Sequence, residues 1–343
     1  MRIALLYNFP SEVVRGTELD LIADQDIIKT VRAVESVLKE DGHTIETVKV
    51  DNNLYENLIR IRPDFVFNLA EGFGSNDLAE PYIPAILEMM GLPYTGSGPL
   101  TLSVALDKSR AKQILSSLGI PTPRFHIFSN PTQELPLHLR FPLIVKPIHE
   151  DASIGITNDS VVRDEEQLRK RIAYILETYR QHALVEEYID GREFNVSIIG
   201  NRNPVALPIE ELEFRNFPEN QNRICSYSAK WIPDSEEFKN TVPVCPANIP
   251  KQIENRIKRV AIAAYKALEC QDYARIDLRL DSNNNPYVLE VNPNPDIGPE
   301  DTAFSRAAQA GGLSYSQLIK TILSYAVERH ASIRRAEENP IRI

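Results

Sequence analysis

Cysteine is scarce in this 343-residue chain: there are three, Cys225, Cys245 and Cys270. They are odd in number and widely spaced, which excludes a disulfide framework and matches no zinc pattern. Free thiols in a reducing cytosol are the ordinary reading, and a cytoplasmic location is expected. Positive charge is also short. Lys and Arg number 38 against 48 Asp and Glu, a net charge of −10. A duplex nucleic-acid partner needs a basic surface, so that class is disfavoured. No Lys/Arg cluster offers itself to an anionic membrane, and no segment reaches the ~20 apolar residues that span a bilayer. The opening MRIALLYN lacks the charged start, longer apolar core and cleavage site of a signal peptide, and reads as a buried first strand. There is no GxxxxGK[ST] phosphate loop, no HExxH and no GxSxG, and Gly96-Ser97-Gly98 is too short for a dinucleotide fingerprint. The six histidines show no ligand spacing. Internal repeats and low-complexity segments are absent.

What is present divides in two. Apolar content of 43% and charged content of 25% fit a globular protein, and the length calls for two or three domains. Through residue 101 strands and helices alternate: Ile3–Tyr7, Thr44–Val50 and Asp64–Asn68 as strands, Asp26–Glu40, Tyr55–Ile61 and Pro81–Met90 as helices. That alternation implies a parallel sheet covered by helices, a Rossmann-like α/β unit. From about Leu102 the texture becomes α+β. A helix at Ser109–Leu118 stops at Gly119 before Pro121 and Pro123. Strands follow at Arg124–Phe128, Leu143–Ile148, Ala183–Ile189 and Glu193–Ile199, with a helix at Glu165–Arg180. A helix at Ile249–Leu268, strands at Ala274–Leu280 and Tyr287–Val291 and a helix at Tyr315–Arg329 complete the chain. Boundaries are expected at 1–101, 102–187 and 188–330, with a frayed polar tail over 331–343.

Three constellations carry chemistry. In ARIDLRL, alternation puts Arg275, Asp277 and Arg279 on one face; in YVLEVN it groups Val288, Glu290 and Asn292. If the two strands pair, Asp277, Glu290 and Asn292 converge beside Arg275. Two carboxylates and an amide form a hard oxygen set suited to Mg²⁺ with a phosphate completing the shell. The alternative is a solvated strand face. Against it stands the rigid Pro293-Asn294-Pro295 run, which ends the strand and fixes where Asn292 points. In VKPIHEDASIGI, Lys146 sits in an apolar strand and needs an anionic partner or a route to water. The small-residue loop Asp151-Ala152-Ser153 to Gly155 lets backbone N–H groups approach phosphate oxygens; a tight turn is the alternative. In LVEEYIDGREF, Glu186 and Glu187 precede Tyr188, Ile189 and a turn at Asp190-Gly191. A strand edge there could meet an adenine and a ribose, or be an ordinary hairpin.

The order and spacing of these segments are specific. Lys108 in LDKSRAK, Lys146 with its loop, EEYIDGREF, Lys230 in YSAKW, Arg275-Ile276-Asp277 and Glu290-Val291-Asn292 together resemble the ATP-grasp ligases of the D-alanine–D-alanine ligase type. GLPYTGSGPLTLSVALDKSRAKQIL is similar to the corresponding family stretch. The resemblance covers residues 1–330 and implies an ATP-grasp fold behind an N-terminal Rossmann-like domain. It further implies that Lys108, Lys146 and Ser153 meet ATP phosphates, that Glu186, Tyr188 and Ile189 meet the adenine, and that Glu193 meets the ribose. Lys230 would reach the γ-phosphate, and Asp277, Glu290 and Asn292 would hold Mg²⁺ (two ions in the family, with Mn²⁺ as an alternative metal). Arg275 would stabilise the oxyanion. The implied partners are a small-molecule acceptor and an amino acid, and a homodimer is a family expectation.

The departures fall on the acceptor side. The family's HGxxGEDG-like segment reads NLAEGFGSNDLAEP here, without His. Of the family's Glu, Ser and Tyr, Glu12 matches the first, Ala152 stands for the second and Trp231 for the third. The usual NTxPGM reads Asn292-Pro293-Asn294-Pro295-Asp296-Ile297, and Asp301 follows. A lost hydroxyl and a bulkier indole alter which molecule is held. Among specific substrates this points to the mycosporine-glycine branch, where Ser or Thr condenses on a cyclohexenone ring to an imine and Trp231 would suit the ring. D-alanine–D-alanine synthesis and other amino-acid ligations are the alternatives. A non-catalytic ATP-binding module would be expected to lose metal ligands or the oxyanion Arg, and none is lost. A Rossmann dehydrogenase needs glycine after the first strand, where Asn8-Phe9-Pro10-Ser11 stands.

Overall fold

The computed structural model describes residues 1–9, 27–218 and 220–338. The chain opens with β1 (Arg2–Tyr7), α1 (Ile27–Glu40), β2 (Thr44–Lys49), α2 (Leu54–Ile61), β3 (Phe65–Asn68) and α3 (Tyr82–Met89). The three strands form a parallel sheet in the order β2-β1-β3. Strand β1 is buried on both faces, as a sheet with helices on either side requires. Helix α1 turns Val31, Val34, Val37 and Leu38 inward at helical spacing.

Next come α4 (Pro99–Leu106) and α5 (Lys108–Ser117). Asp107 starts α5 by accepting hydrogen bonds from the Ser109 and Arg110 amides. A second, antiparallel sheet holds β4 (Phe125–Phe128), β5 (Leu143–Pro147), β6 (Val161–Val162) and β7 (Ala183–Glu187), in the order β4-β7-β5-β6, with α6 (Glu165–Thr178) against it. The third sheet is built from β8 (Glu193–Ile199), β9 (Val205–Ala206), β10 (Glu210–Phe214), β11 (Thr241–Val244), β12 (Tyr273–Leu280) and β13 (Pro286–Asn292), in the order β11-β10-β8-β12-β13 with β9 beside β8. Between its strands lie α7 (Tyr227–Trp231), α8 (Glu236–Asn240) and α9 (Lys251–Ala267); α10 (Ala303–Ala310) and α11 (Tyr315–Glu338) follow.

Phe194, Val196, Ile198, Ile276 and Leu278 turn one face of the third sheet onto α9 and the inner side of α5. The opposite face carries the polar residues discussed below. Helices α10 and α11 return to the first sheet, where Phe304, Leu318, Ile319 and Ile322 share a core with Leu5, Val34 and Phe67.

The strands and helices expected from the sequence are found within two residues of their ends, apart from the last helix. That helix continues to Glu338 instead of fraying, because ERHASIRRAEE consists largely of strong helix formers. Strands β6 and β9 to β11 and helices α4, α7, α8 and α10 had no expectation. A further correction concerns β13. Its register with β12 shifts between Asp277 and Leu278, so Leu289 is the extra residue of a bulge. Val288 therefore lies in the core beside Leu278 instead of sharing a face with Glu290.

Candidate active site

The polar face of the third sheet is organised in cross-strand rows. Asp277 pairs with Glu290 on one side and Asn195 on the other; one row along, Arg275 pairs with Asn292 and Ser197. The bulge makes this possible, because it returns Glu290 to the side of Asp277 after Val288 has pointed into the core. Arg275 holds both Asp277 oxygens, Nε to Oδ1 at 2.7 Å and Nη2 to Oδ2 at 2.9 Å. Burial pushes the Asp277 carboxyl up, Arg275 pulls it down, and the neighbouring Glu290 charge adds to the rise, which prevails. Glu290 shifts the other way. Burial opposes its charge, but Lys108, Lys146 and Arg275 together hold it well below the usual carboxylate range. Asn292 Oδ1 accepts from the Asn294 amide at 3.2 Å, which anchors the rigid turn. This set of hard oxygens, with one carboxylate secured as an anion, fits a divalent cation.

Helix α5 reaches from this sheet to the second one with two lysines a turn apart. Lys108, 5% exposed, contacts Asp151 on the small-residue loop and lies 3.2 Å from Glu290 Oε2. Lys112, fully buried, lies 2.9 Å from Glu186 Oε2 and 2.8 Å from Thr122 Oγ1. Lys146 approaches the other Glu186 oxygen at 2.5 Å. Lys112 was not foreseen; its spacing of four residues from Lys108 was the available signal. Burial and the Lys146 charge press its ammonium down to about 8 against the pull of Glu186. For Glu186 itself burial is outweighed by the two lysines, and its carboxyl stays low. Oε2 faces the Lys112 ammonium, so each Glu186 oxygen has its own lysine.

The loop after β5 is shaped by left-handed residues: φ is 53° at Ala152, 62° at Ser153 and 75° at Gly155. Gly155 is required there, since a Cβ would stand 2.7 Å from Pro147 Cγ. Ser153 Oγ donates to the Cys225 carbonyl at 2.8 Å, and the Trp231 indole donates to the Ala152 carbonyl at 2.9 Å. Beyond the loop, the Arg279 guanidinium covers the Tyr188 ring at 5.0 Å and stands 3.7 Å from Glu193. The Tyr188 hydroxyl donates to the Arg223 carbonyl, and Ile189 is half-buried beside it in sequence. Burial raises the Glu193 carboxyl, partly offset by Arg279. Lys230 Nζ sits over the Trp231 ring at 5.2 Å and makes no ion pair among the described residues.

The expected acceptor residues are less united. Glu12 lies outside the described residues. Asp296 turns to its own backbone, accepting from the Gly298 amide at 2.8 Å and from Thr30 Oγ1 at 3.2 Å. Asp301 is exposed, with φ of 57°. Sequence reasoning did not foresee the contacts of Asn294, which donates to Ala70 O and to Glu80 Oε1 at 2.9 Å and accepts from the Tyr273 hydroxyl. Burial raises the Glu80 carboxyl to about 8, although Asn294 opposes the rise.

None of the described helices is long and apolar enough to cross a membrane. Residues 114–324 match the family described as D-ala D-ala ligase C-terminus. The uncharacterized protein y4sG of Sinorhizobium fredii is 38% identical over 306 residues, 87% of either chain. The D-alanine–D-alanine ligase of Carboxydothermus hydrogenoformans is 35% identical over 310 residues, 88% of this chain and 93% of that one. Among solved structures, the D-alanine–D-alanine ligase of Bacillus anthracis complexed with ATP has a TM-score of 0.74 at 24% identity, covering 97% of this chain and 99% of its own. Family match, relatives and fold agree with the order of the motifs: the chain belongs to the D-alanine–D-alanine ligase family, ATP-grasp enzymes that form C–N bonds.

Proposed function

We propose that this enzyme phosphorylates a carboxylate oxygen of one amino acid with ATP and joins the activated carbon to the amine of a second, releasing ADP and phosphate. The position of Lys108 carries the reading. One buried ammonium bridges the loop of the second sheet and the carboxylate row of the third, where the two sheets meet. A nucleotide's terminal phosphates clamped between those sheets would be met from both sides.

Carboxylate oxygen is a poor leaving group, and phosphate is a good one. The transferring phosphoryl group develops charge that positioned cations stabilise. In this reading Lys108, Lys146 and the Ser153 loop receive the phosphates, and Lys230 approaches the γ-phosphate from α7. Glu186, the buried anion at the end of the second sheet, accepts from the adenine amino group. Tyr188 and Ile189 flank the adenine, and Glu193 takes a ribose hydroxyl. Mg²⁺, held by Asp277, Glu290 and Asn292, would supply neutralisation of phosphate charge. Arg275 turns toward the oxyanion formed when the amine attacks. Exclusion of water by the closed loop protects the acyl phosphate.

The acceptor side supports amino acids more than a ring. A platform role for Trp231 is not favoured, because its indole hydrogen-bonds the loop and packs on the core beneath it. Imine formation on a cyclohexenone therefore lacks a supporting contact, and D-alanine remains one member of the amino-acid class to test. The experiment is ADP and phosphate release with ATP, Mg²⁺ and a panel of amino-acid pairs. Turnover with at least one pair is expected, and Asp277→Asn or Glu290→Gln should lower it by at least ~100-fold while nucleotide still binds. Nucleotide binding without turnover across the panel would leave only an ATP-binding module.

A further inference from the structure

The buried cluster of the second sheet holds one cation more than stability asks for. Lys112 Nζ stands 2.9 Å from Glu186 Oε2, and Lys146 Nζ stands 2.5 Å from Oε1. In register across the sheet, the neighbours of Glu186 are Phe125 and Ile144, which carry no charge. One lysine would neutralise the one carboxylate. Taking a second ammonium out of water is costly, so its presence calls for a reason.

The two lysines differ in how firmly they are placed. The Lys112 side chain is 1% exposed and also donates to Thr122 Oγ1 at 2.8 Å. Thr122 spends its own proton on the Val288 carbonyl, so its free lone pair is turned to the lysine. Lys146 keeps 11% of its side chain exposed, and its charge reaches the carboxylate row of the third sheet, where it helps to hold Glu290 as an anion. Lys146 thus stands between the seat of the base and the seat of the phosphates. When phosphates enter, Lys146 is drawn to them, and its Glu186 oxygen comes free to face the base. Without Lys112 that exchange would leave a buried carboxylate with no cation, and such a group takes up a proton. The distinction matters for the base. An ionised carboxylate only accepts hydrogen bonds, whereas a protonated one also donates and can meet a 6-oxo purine as well as a 6-amino one.

We propose that Lys112 is a positioning residue that sets the base selectivity of the nucleotide site. It stays on Glu186 while Lys146 changes partners to the phosphates, and so keeps Glu186 an acceptor-only group that selects 6-amino over 6-oxo purines. The proposal rests on the reading above that Glu186 meets the adenine.

Calorimetry with Mg–ADP and with Mg–IDP, its hypoxanthine counterpart, measures the selection without turnover, and the KM values for ATP and ITP measure it during turnover. The unmodified protein should prefer the 6-amino base on the order of 10- to 100-fold, the strength of one hydrogen bond to a charged group. Lys112→Met should cut that preference at least about fivefold, with the 6-oxo nucleotide gaining affinity as Glu186 takes up a proton and donates to it. If Lys112→Met does not fold, Lys112→Gln removes the charge while keeping a donor for Thr122, and it should show the same loss. A lysine that only supports the fold would, when replaced, weaken both nucleotides alike. That unchanged ratio overturns the proposal and leaves the placement of adenine at Glu186 standing. Equal binding of the two nucleotides by the unmodified protein overturns the proposal and that placement together.

Discussion

Two single substitutions in the buried Lys112–Glu186–Lys146 cluster should act with very different sizes. Glu186 is 1% exposed and is the anion between two ammonium groups at 2.9 and 2.5 Å. Glu186→Gln leaves two buried cations facing each other without their counter-charge, and breaking a buried pair in this way costs about 3–5 kcal/mol. Lys112→Met removes the cation that is surplus to the single carboxylate. Glu186 keeps Lys146, and Thr122 keeps its hydrogen bond to the Val288 carbonyl. The change should therefore fall within about 1 kcal/mol of neutral at pH 7. The pH dependence sharpens the contrast. The Lys112 value of about 8 in the folded protein lies below the ~10.4 of an unfolded lysine. The folded state thus carries a full penalty below pH 8, and the penalty fades as pH rises toward ~10.4, where the unfolded chain holds the proton the folded one has lost. At ~1.4 kcal/mol per unit, this group contributes about 3 kcal/mol of stability gain across that window. Urea unfolding at pH 7.5, 8.5 and 9.5 measures it. The unmodified protein should gain stability from this group and Lys112→Met should lack that gain. If Lys112→Met destabilises as much as Glu186→Gln, or keeps the same pH slope, the charge argument is wrong.

Glu80 titrates with the opposite consequence. Its folded value of about 8 lies above the ~4.3 of an unfolded Glu, so this group withdraws stability as pH climbs between the two values. Glu80→Gln keeps the contact with Asn294 and should flatten that decline in thermal melts from pH 5 to 8; an unaltered slope would show that Glu80 is ionised throughout. Gly155→Ala places a Cβ 2.7 Å from Pro147 Cγ at a φ of 75°, and combined backbone strain and overpacking should cost about 2–4 kcal/mol. Chemical denaturation reads that loss, and a change below 0.5 kcal/mol would mean the loop relaxes freely. Trp231→Phe removes the hydrogen bond to the Ala152 carbonyl, so it should loosen the loop and raise the KM for ATP severalfold, with a stability cost of about 1 kcal/mol. Steady-state kinetics decides the point: an effect confined to the acceptor KM would make the indole a substrate platform after all.

Much of the site was legible because its parts lie on regular strands. The alternation in ARIDLRL placed Arg275 and Asp277 together, and the expected pairing with YVLEVN brought Glu290 and Asn292 beside them. The bulge at Leu289 was hidden because a period of two carries no mark of an extra residue; only the core position of Val288 reveals it. Lys112 stood in plain view in LDKSRAK, but its partner Glu186 lies on another sheet, and no local pattern specifies such a contact. Strand β11 was obscured by Pro243, which a sheet edge tolerates and an interior strand does not. Asp296 holds a turn that the sequence reading did not describe. An acidic side chain after a proline, two residues ahead of a glycine, readily accepts its own backbone N–H and holds the turn. Other contacts join parts far apart in the chain: Asn294 meets Glu80, and Arg306 meets Glu210. These four residues come from separate stretches of chain, and the second pair meets only when α10 folds back over the third sheet. Residues on paired strands can be found by reading a sequence in register, whereas residues assembled by the return of a distant helix have no register to be read.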